Sequence, residues 1–329
     1  MGENSKIEWC DHTFNPWRGC TKVSAGCANC YAETMSKRFP DRLGIWGDNG
    51  TRIIASESMW HEPVKWNKNA AREGRMRKVF CASLTDICED RPELEAPRDR
   101  LRRLIDETPW LTWLLLTKRP ENYERFFPGA IENVWKGTSV ENQETTDARL
   151  FHLCGTAARL RFISYEPALD AINLVEAIKR AVNLAIQTQT PPPPWSQLSS
   201  LAILPGPTAS ITDHHAMRKF GELIGWVIYG GESGPRARQN RIEWGYQVRD
   251  QCKATGVPFF CKQLGAFVTT DNANCQDWPD DIDLMGDGRH VASARPALKS
   301  SKGNDPAEWP HDLRIRDFPN WHQHTGDTV

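Results

Sequence analysis

Asn15-Pro16-Trp17-Arg18-Gly19-Cys20-Thr21-Lys22-Val23-Ser24-Ala25-Gly26-Cys27-Ala28-Asn29-Cys30-Tyr31-Ala32 carries three cysteines in a C-x6-C-x2-C pattern. Glycines precede Cys20 and Cys27, and an aromatic residue follows Cys30. Thiols spaced by Gly, Asn and Ser make poor core material, so the stretch reads as a loop folded around a metal or a cluster. Two inorganic readings compete. Cys10, Cys20, Cys27 and Cys30 are candidates for a tetrahedral structural zinc site. The usual zinc pattern has two CxxC-like pairs, however, and here only Cys27 and Cys30 form one. Alternatively Cys20, Cys27 and Cys30 hold an iron–sulfur cluster, since thiolate ligation of clusters tolerates varied spacings. Three thiolates on a four-iron cluster leave one iron open. Which reading holds depends on what the loop is attached to.

Outward from the loop, short apolar runs alternate with longer helix-like segments. Lys78–Ser83 precedes a helix-like Pro97–Glu107, and Trp110–Thr117 precedes Glu121–Phe127. Asn133–Thr138 precedes the polar Asn142–Leu153, and Leu160–Ser164 precedes the amphipathic Leu169–Ala181. Gly225–Tyr229 and Trp244–Thr255 lead to Val257–Cys261. Such alternation predicts a parallel sheet with helices outside it, and this many units favour a full or partial β/α barrel. The barrel is expected over residues 1–267. Ile7–Cys10 reads as a short strand with Cys10 pointing into the core. No charged residue occurs from Ala181 to Thr212, and Pro191–Pro194 rules out a helix interior there. A proline-rich surface insertion is expected over about 181–222, with His214 and His215 on its surface. An irregular C-terminal extension, rich in Asp, Asn, Gly and Ser, is expected over 268–329.

Composition narrows the class. The net charge is −1, so the overall field announces neither a nucleic-acid nor a membrane partner. No apolar run approaches the roughly 20 residues that span a bilayer. Residues 1–6 are polar and lack a signal-peptide core. A cytoplasmic protein is expected, with its ten cysteines as free thiols or metal ligands rather than disulfides.

In a β/α barrel, chemistry sits where strands end. Here those ends are polar: Ser83 to Asp86, Thr117-Lys118-Arg119, Thr138 to Gln143, Ser164-Tyr165-Glu166, Gly230-Gly231-Glu232-Ser233-Gly234 and Lys262-Gln263. Helix capping would explain Ser83, Thr117 or Ser139 singly. Asp86, Glu141, Glu166 and Glu232 as a set are harder to explain that way. Carboxylates converging on one mouth repel unless a cation, a ligand amine or a base is present. The glycine-rich turn 230–234 is neither a Walker loop nor a Rossmann fingerprint; its glycines let backbone approach a ligand closely.

The cysteine stretch resembles the signature of an uncharacterised three-Cys-motif family of phages, prophages and bacterial mobile elements, whose members are described as radical-SAM-like. Leu116–Pro120, Ser139–Gln143, Ser164 with Glu166-Pro167, Gly230–Gly234, and Phe260 with Lys262-Gln263 extend the likeness over about residues 7–267. The resemblance implies a barrel of radical-SAM type, with Cys20, Cys27 and Cys30 holding a [4Fe–4S] cluster and S-adenosylmethionine on its open iron. It implies an external electron donor and an enzyme that generates a 5′-deoxyadenosyl radical. Lys118, Glu141, Glu166, Gly230, Gly231, Glu232 and Ser233 become candidate cofactor-binding residues. Lys118 and Arg119 are candidates to meet a carboxylate or an anionic substrate. The first gap is three residues longer than the usual C-x3-C-x2-C.

Mobile-element context, implied by that resemblance, points to modification or repair of a nucleic acid or nucleotide, with a partner protein as a further candidate. Arginine groups at 72–77, 98–103 and 236–241, with exposed tryptophans for base stacking, would supply the contact. A solvated helix face is the plainer reading of 98–103. The competing function is a zinc-stabilised protein that binds nucleic acid or a partner without chemistry of its own.

Overall fold

The computed structural model describes residues 2–188, 212–271, 278–279, 282, 284–286 and 294–320. Residues 189–211, with the four-proline run, and Cys275 lie outside them. The centre is one sheet of seven parallel strands in sequential order: β1 (His12–Thr13), β2 (Arg77–Cys81), β3 (Leu111–Thr117), β4 (Val134–Val140), β5 (Leu160–Tyr165), β6 (Trp226–Gly230) and β7 (Phe259–Gln263). Helices cross between the strands. They are α1 (Tyr31–Arg38) and α2 (Glu57–Glu73) before β2, then α3 (Glu95–Asp106), α4 (Gln143–Cys154), α5 (Leu174–Gln187), α6 (Asp213–Leu223) and α7 (Ile242–Thr255). The first and last strands do not pair, so the barrel is partial. Among the described residues, no helix is long and apolar enough to cross a membrane.

Alternation along the strands explains the layers. Val79 and Cys81, Trp113 and Leu115, Ile163 and Tyr165, Val227 and Tyr229, and Phe259 and Cys261 face the helices in the larger core. Their neighbours Phe80, Leu114, Trp135, Phe162, Trp226, Ile228 and Phe260 form a second, inner cluster with Trp9 and Cys10. A period of two with both faces buried is the pattern of a parallel sheet under helices. Gly137 lies beside Phe162, and a methyl group there would sit 2.4 Å from the Phe162 ring. The missing side chain lets that ring lie across the barrel interior.

Ile7–Cys10 is a turn, and the first strand is His12–Thr13. The apolar Ile7 and Trp9 mimic a strand because they pack into the barrel interior. Trp9 touches Phe80 of β2 at 4.5 Å and Trp226 of β6 at 6.2 Å between ring centres. Cys10 is buried in that inner cluster, as expected, and its thiol faces the Ile7 carbonyl. The tail closes the other side. Cys261 donates to the Ile315 carbonyl, Asp317 donates to that of Phe259, and Arg316 forms an antiparallel bridge with Phe260. Phe318 then packs on Trp226 and Phe260, under the Lys78 ammonium of β2 at 4.7 Å. Part of the extension expected to be irregular therefore lies against the edge of β7.

The helix expected at Leu169 begins at Leu174, where the Asn173 side chain accepts from the Glu176 backbone N–H. Both ends of the expected insertion are helical: its start belongs to α5 and its end to α6, which pack on one another; His214 and His215 are exposed on α6.

Candidate functional site

Inward-facing rows turn from large apolar to small or polar residues as their strands reach the C-terminal face. Phe80 is followed by Ala82, Leu114 by Leu116 and Lys118, Trp135 by Gly137 and Ser139, Phe162 by Ser164 and Glu166, and Phe260 by Lys262. The polar layer lines a cavity of about 450 Å³. Its base is Trp9, Phe80 and Leu116, and Lys302 and Asn304 of the C-terminal segment complete its wall. Cys20, Cys27 and Cys30 all line it. Lys118, Glu166, Gly231, Glu232 and Ser233 do so as well, whereas Glu141 and Gly230 stand behind the lining.

The cysteine loop hangs from β1 and is clamped by three carboxylates. Beneath Thr21, Glu89 accepts from the Thr21 backbone N–H at 3.0 Å and from Arg52 at 2.6 and 2.7 Å. In the middle, Glu141 accepts from Ser24 Oγ at 2.9 Å, Lys118 Nζ at 2.6 Å and Arg149 at 3.0 Å. Gly26 rests on this carboxylate; a methyl group there would lie 2.4 Å from Glu141 Cγ. At the far end, Glu232 accepts from Asn29 at 3.0 Å and from Arg238 at 2.7, 2.8 and 3.0 Å. Arg238 also donates to the Ala25 carbonyl at 2.8 Å. The loop's exit is held by the Tyr31 hydroxyl, which donates to the Ser83 carbonyl.

These contacts answer the repulsion expected among the acids: each carries its own lysine or arginine. Burial pushes Glu141 up, but Lys118 and Arg149 outweigh it and hold the carboxyl below the usual range. Burial likewise opposes the charge on Glu232, and Arg238 with Asn29 brings it down. Asp86 accepts from Thr117 Oγ1 and the Lys118 N–H, and pairs with Arg119 at 3.0 Å. Glu166 pairs with Lys262 inside the cavity; its carboxylate is less enclosed than those of the clamps. Ser139 and Ser164 are register partners on β4 and β5, both on the lining.

Arg119 lies under Cys20. Its Nη1 is 3.0 Å from Asp86 and 3.9 Å from Cys20 Sγ, and its Nη2 donates to the Thr21 carbonyl at 2.9 Å. Burial opposes its charge, yet Asp86, Cys20 and Glu89 hold it above the ordinary arginine range. Burial pushes the Cys20 and Cys30 thiols up.

Sequence reading did not find Glu89, Arg52, Arg149, Arg238, Ser24 or Asn29 as parts of the site. Only Gly26, beside a cysteine, gave a local signal of close approach. The basic groups expected to meet nucleic acid are largely spoken for. Arg98 is buried over the Phe126 ring at 3.7 Å and donates to the Glu89 carbonyl; Arg100 chelates Glu57; Arg241 pairs with Asp271. The tryptophans expected to be exposed are mostly buried, because they fill the barrel interior and the helix layer: Trp9, Trp17, Trp60, Trp66, Trp113, Trp135, Trp226, Trp278 and Trp309.

The donor set can be tested against the two inorganic readings. Among the described residues, no three His, Cys, Asp or Glu side chains converge on a point that would hold one metal ion. Cys10, the fourth thiol of a zinc site, belongs to the inner cluster and faces Ile7. A four-iron cluster needs each thiolate on a different corner, which suits three thiols spread around one cavity.

No curated protein matches the chain. Among solved structures, a mutant spore photoproduct lyase aligns over 90% of this chain and 71% of its own, at 9% identity and a TM-score of 0.40. A likeness that low carries no weight for function. The family model described as a protein of unknown function (DUF5131) matches residues 4–306, and the chain belongs to that family.

Proposed function

We propose that the protein is a radical S-adenosylmethionine enzyme whose [4Fe–4S] cluster is held by Cys20, Cys27 and Cys30. The observation that carries this reading is the meeting of all three thiols with the polar strand ends of a partial barrel in one cavity. When bound, the cluster would supply one electron for cleavage of S-adenosylmethionine to methionine and a 5′-deoxyadenosyl radical. The chain's own residues position and enclose. Glu89, Glu141 and Glu232 fix the loop. Lys118 shares one ammonium proton with Glu141 and keeps donors for a carboxylate at the cavity wall. Glu166, balanced by Lys262, is the carboxylate left to accept from a ligand ammonium or ribose. Gly231 and Ser233 present backbone and hydroxyl beside it. Trp9, Phe80 and Leu116 keep the base dry, as radical chemistry requires. The substrate class favoured is a nucleic acid or nucleotide, on the resemblance alone.

Anaerobic purification and reconstitution tests the reading. Brown protein with about four iron per chain, bleached by dithionite and releasing 5′-deoxyadenosine from S-adenosylmethionine, supports it. Colourless protein with stoichiometric zinc refutes it in favour of the zinc-stabilised binding protein. Cys30→Ala is expected to remove the colour.

A further inference from the structure

We propose that Arg119 is a positioning residue for the cluster ligand Cys20, making the bound cluster easier to reduce. The inference rests on the cluster reading above and gives Arg119 a different task from meeting substrate. Both of its Nη atoms are engaged by the protein: Asp86 and Cys20 Sγ take Nη1, and the Thr21 carbonyl takes Nη2, with Glu89 at 4.0 Å. Both Nη atoms are thus turned to the Cys20 loop and to Asp86. Asp86 is itself locked by the Thr117 hydroxyl and the Lys118 and Cys88 N–H groups, so the arginine cannot swing away without breaking a buried network.

Physically, an N–H donated to a ligating sulfur withdraws charge from it, and a fixed cation nearby favours the more negative state. Reduction adds one electron to the cluster and breaks no bond. Arg119 therefore stabilises the product of that step. Its loss has a second effect in the same direction, because Asp86 would remain beside Cys20 without its arginine. Of the three cysteines, Cys20 is the most enclosed, so solvent screens this interaction least.

The test is the midpoint potential of reconstituted protein, titrated anaerobically with dithionite and followed by the spectrum of the reduced cluster. Arg119→Gln is expected to bind iron as the wild type does and to be about tenfold harder to reduce, a fall of about 59 mV for a one-electron couple. Arg119→Lys keeps the charge and loses the fork, so its potential should lie between the two. If Arg119→Gln does not load, Arg119→Lys decides alone, by a smaller fall in the same direction. Loaded variants with unchanged potential overturn the role of Arg119 and leave the cluster reading intact. Wild-type protein that loads no cluster overturns both.

Discussion

Glu141→Ala probes the clamp most directly. Its carboxylate is fully buried and accepts from Lys118, Arg149 and Ser24, and the Arg149 side chain is only 9% exposed. Removing the acid leaves a buried guanidinium without its partner. Breaking a buried pair from one side costs about 3–5 kcal/mol. The net value of the intact pair is much smaller, so Glu141→Ala/Arg149→Ala should cost clearly less than the two single variants summed. Urea unfolding of metal-free protein reads the difference, with no dependence on which metal binds. A loop released from Glu141 should also expose Cys27 and Cys30 to a thiol reagent in the native state. A loss under about 1 kcal/mol, or strictly additive variants with unchanged thiol reactivity, would refute the idea that Glu141 holds the loop.

Other outcomes follow from the same geometry. Gly26→Ala places a methyl group against Glu141, so it should cost about 1–3 kcal/mol in urea unfolding and lower iron uptake. Glu141 and Glu232 are both held below the ordinary glutamate range, about 4.3. Their contribution should be complete above that pH and disappear as pH falls below it; Glu141→Gln should flatten the acid limb of stability against pH, and an unchanged limb would count against the pairing. Cys10→Ala should lose about 1 kcal/mol of stability but retain the full metal content by elemental analysis, whereas a four-thiolate zinc site would lose its metal.

The barrel was legible because its strands are long enough to show their period. Val79 to Cys81 and Trp113 to Leu116 display it, and the polar residues after Leu116, Phe162 and Phe260 mark one mouth. The first strand was not legible. His12–Thr13 is two residues long, too short for any period, while Ile7 and Trp9 imitate a strand for a different reason: they pack into the barrel interior. The acids at the mouth could be found, but not what balances them. Arg149 lies on the following helix, Arg52 precedes β2, and Arg238 sits across a turn, so each pairing is a product of tertiary folding. The same blindness made Arg98 look solvated, because nothing local announces that Phe126 and Glu89 will cover it.

The tail has a practical bearing. Residues 315–317 bond to the outer edge of β7, and β7 carries Lys262 and Gln263 to the cavity. A chain shortened to residue 267 would bare a run of unpaired N–H and C=O groups together with Phe260 and Trp226. An uncovered edge of that kind is a template for intermolecular strand pairing. Shortened protein is expected to form aggregates rather than a smaller working barrel, and light scattering of the purified 1–267 and 1–320 chains would tell them apart. Expression trials would then do well to keep Phe318, however dispensable the extension looks on paper.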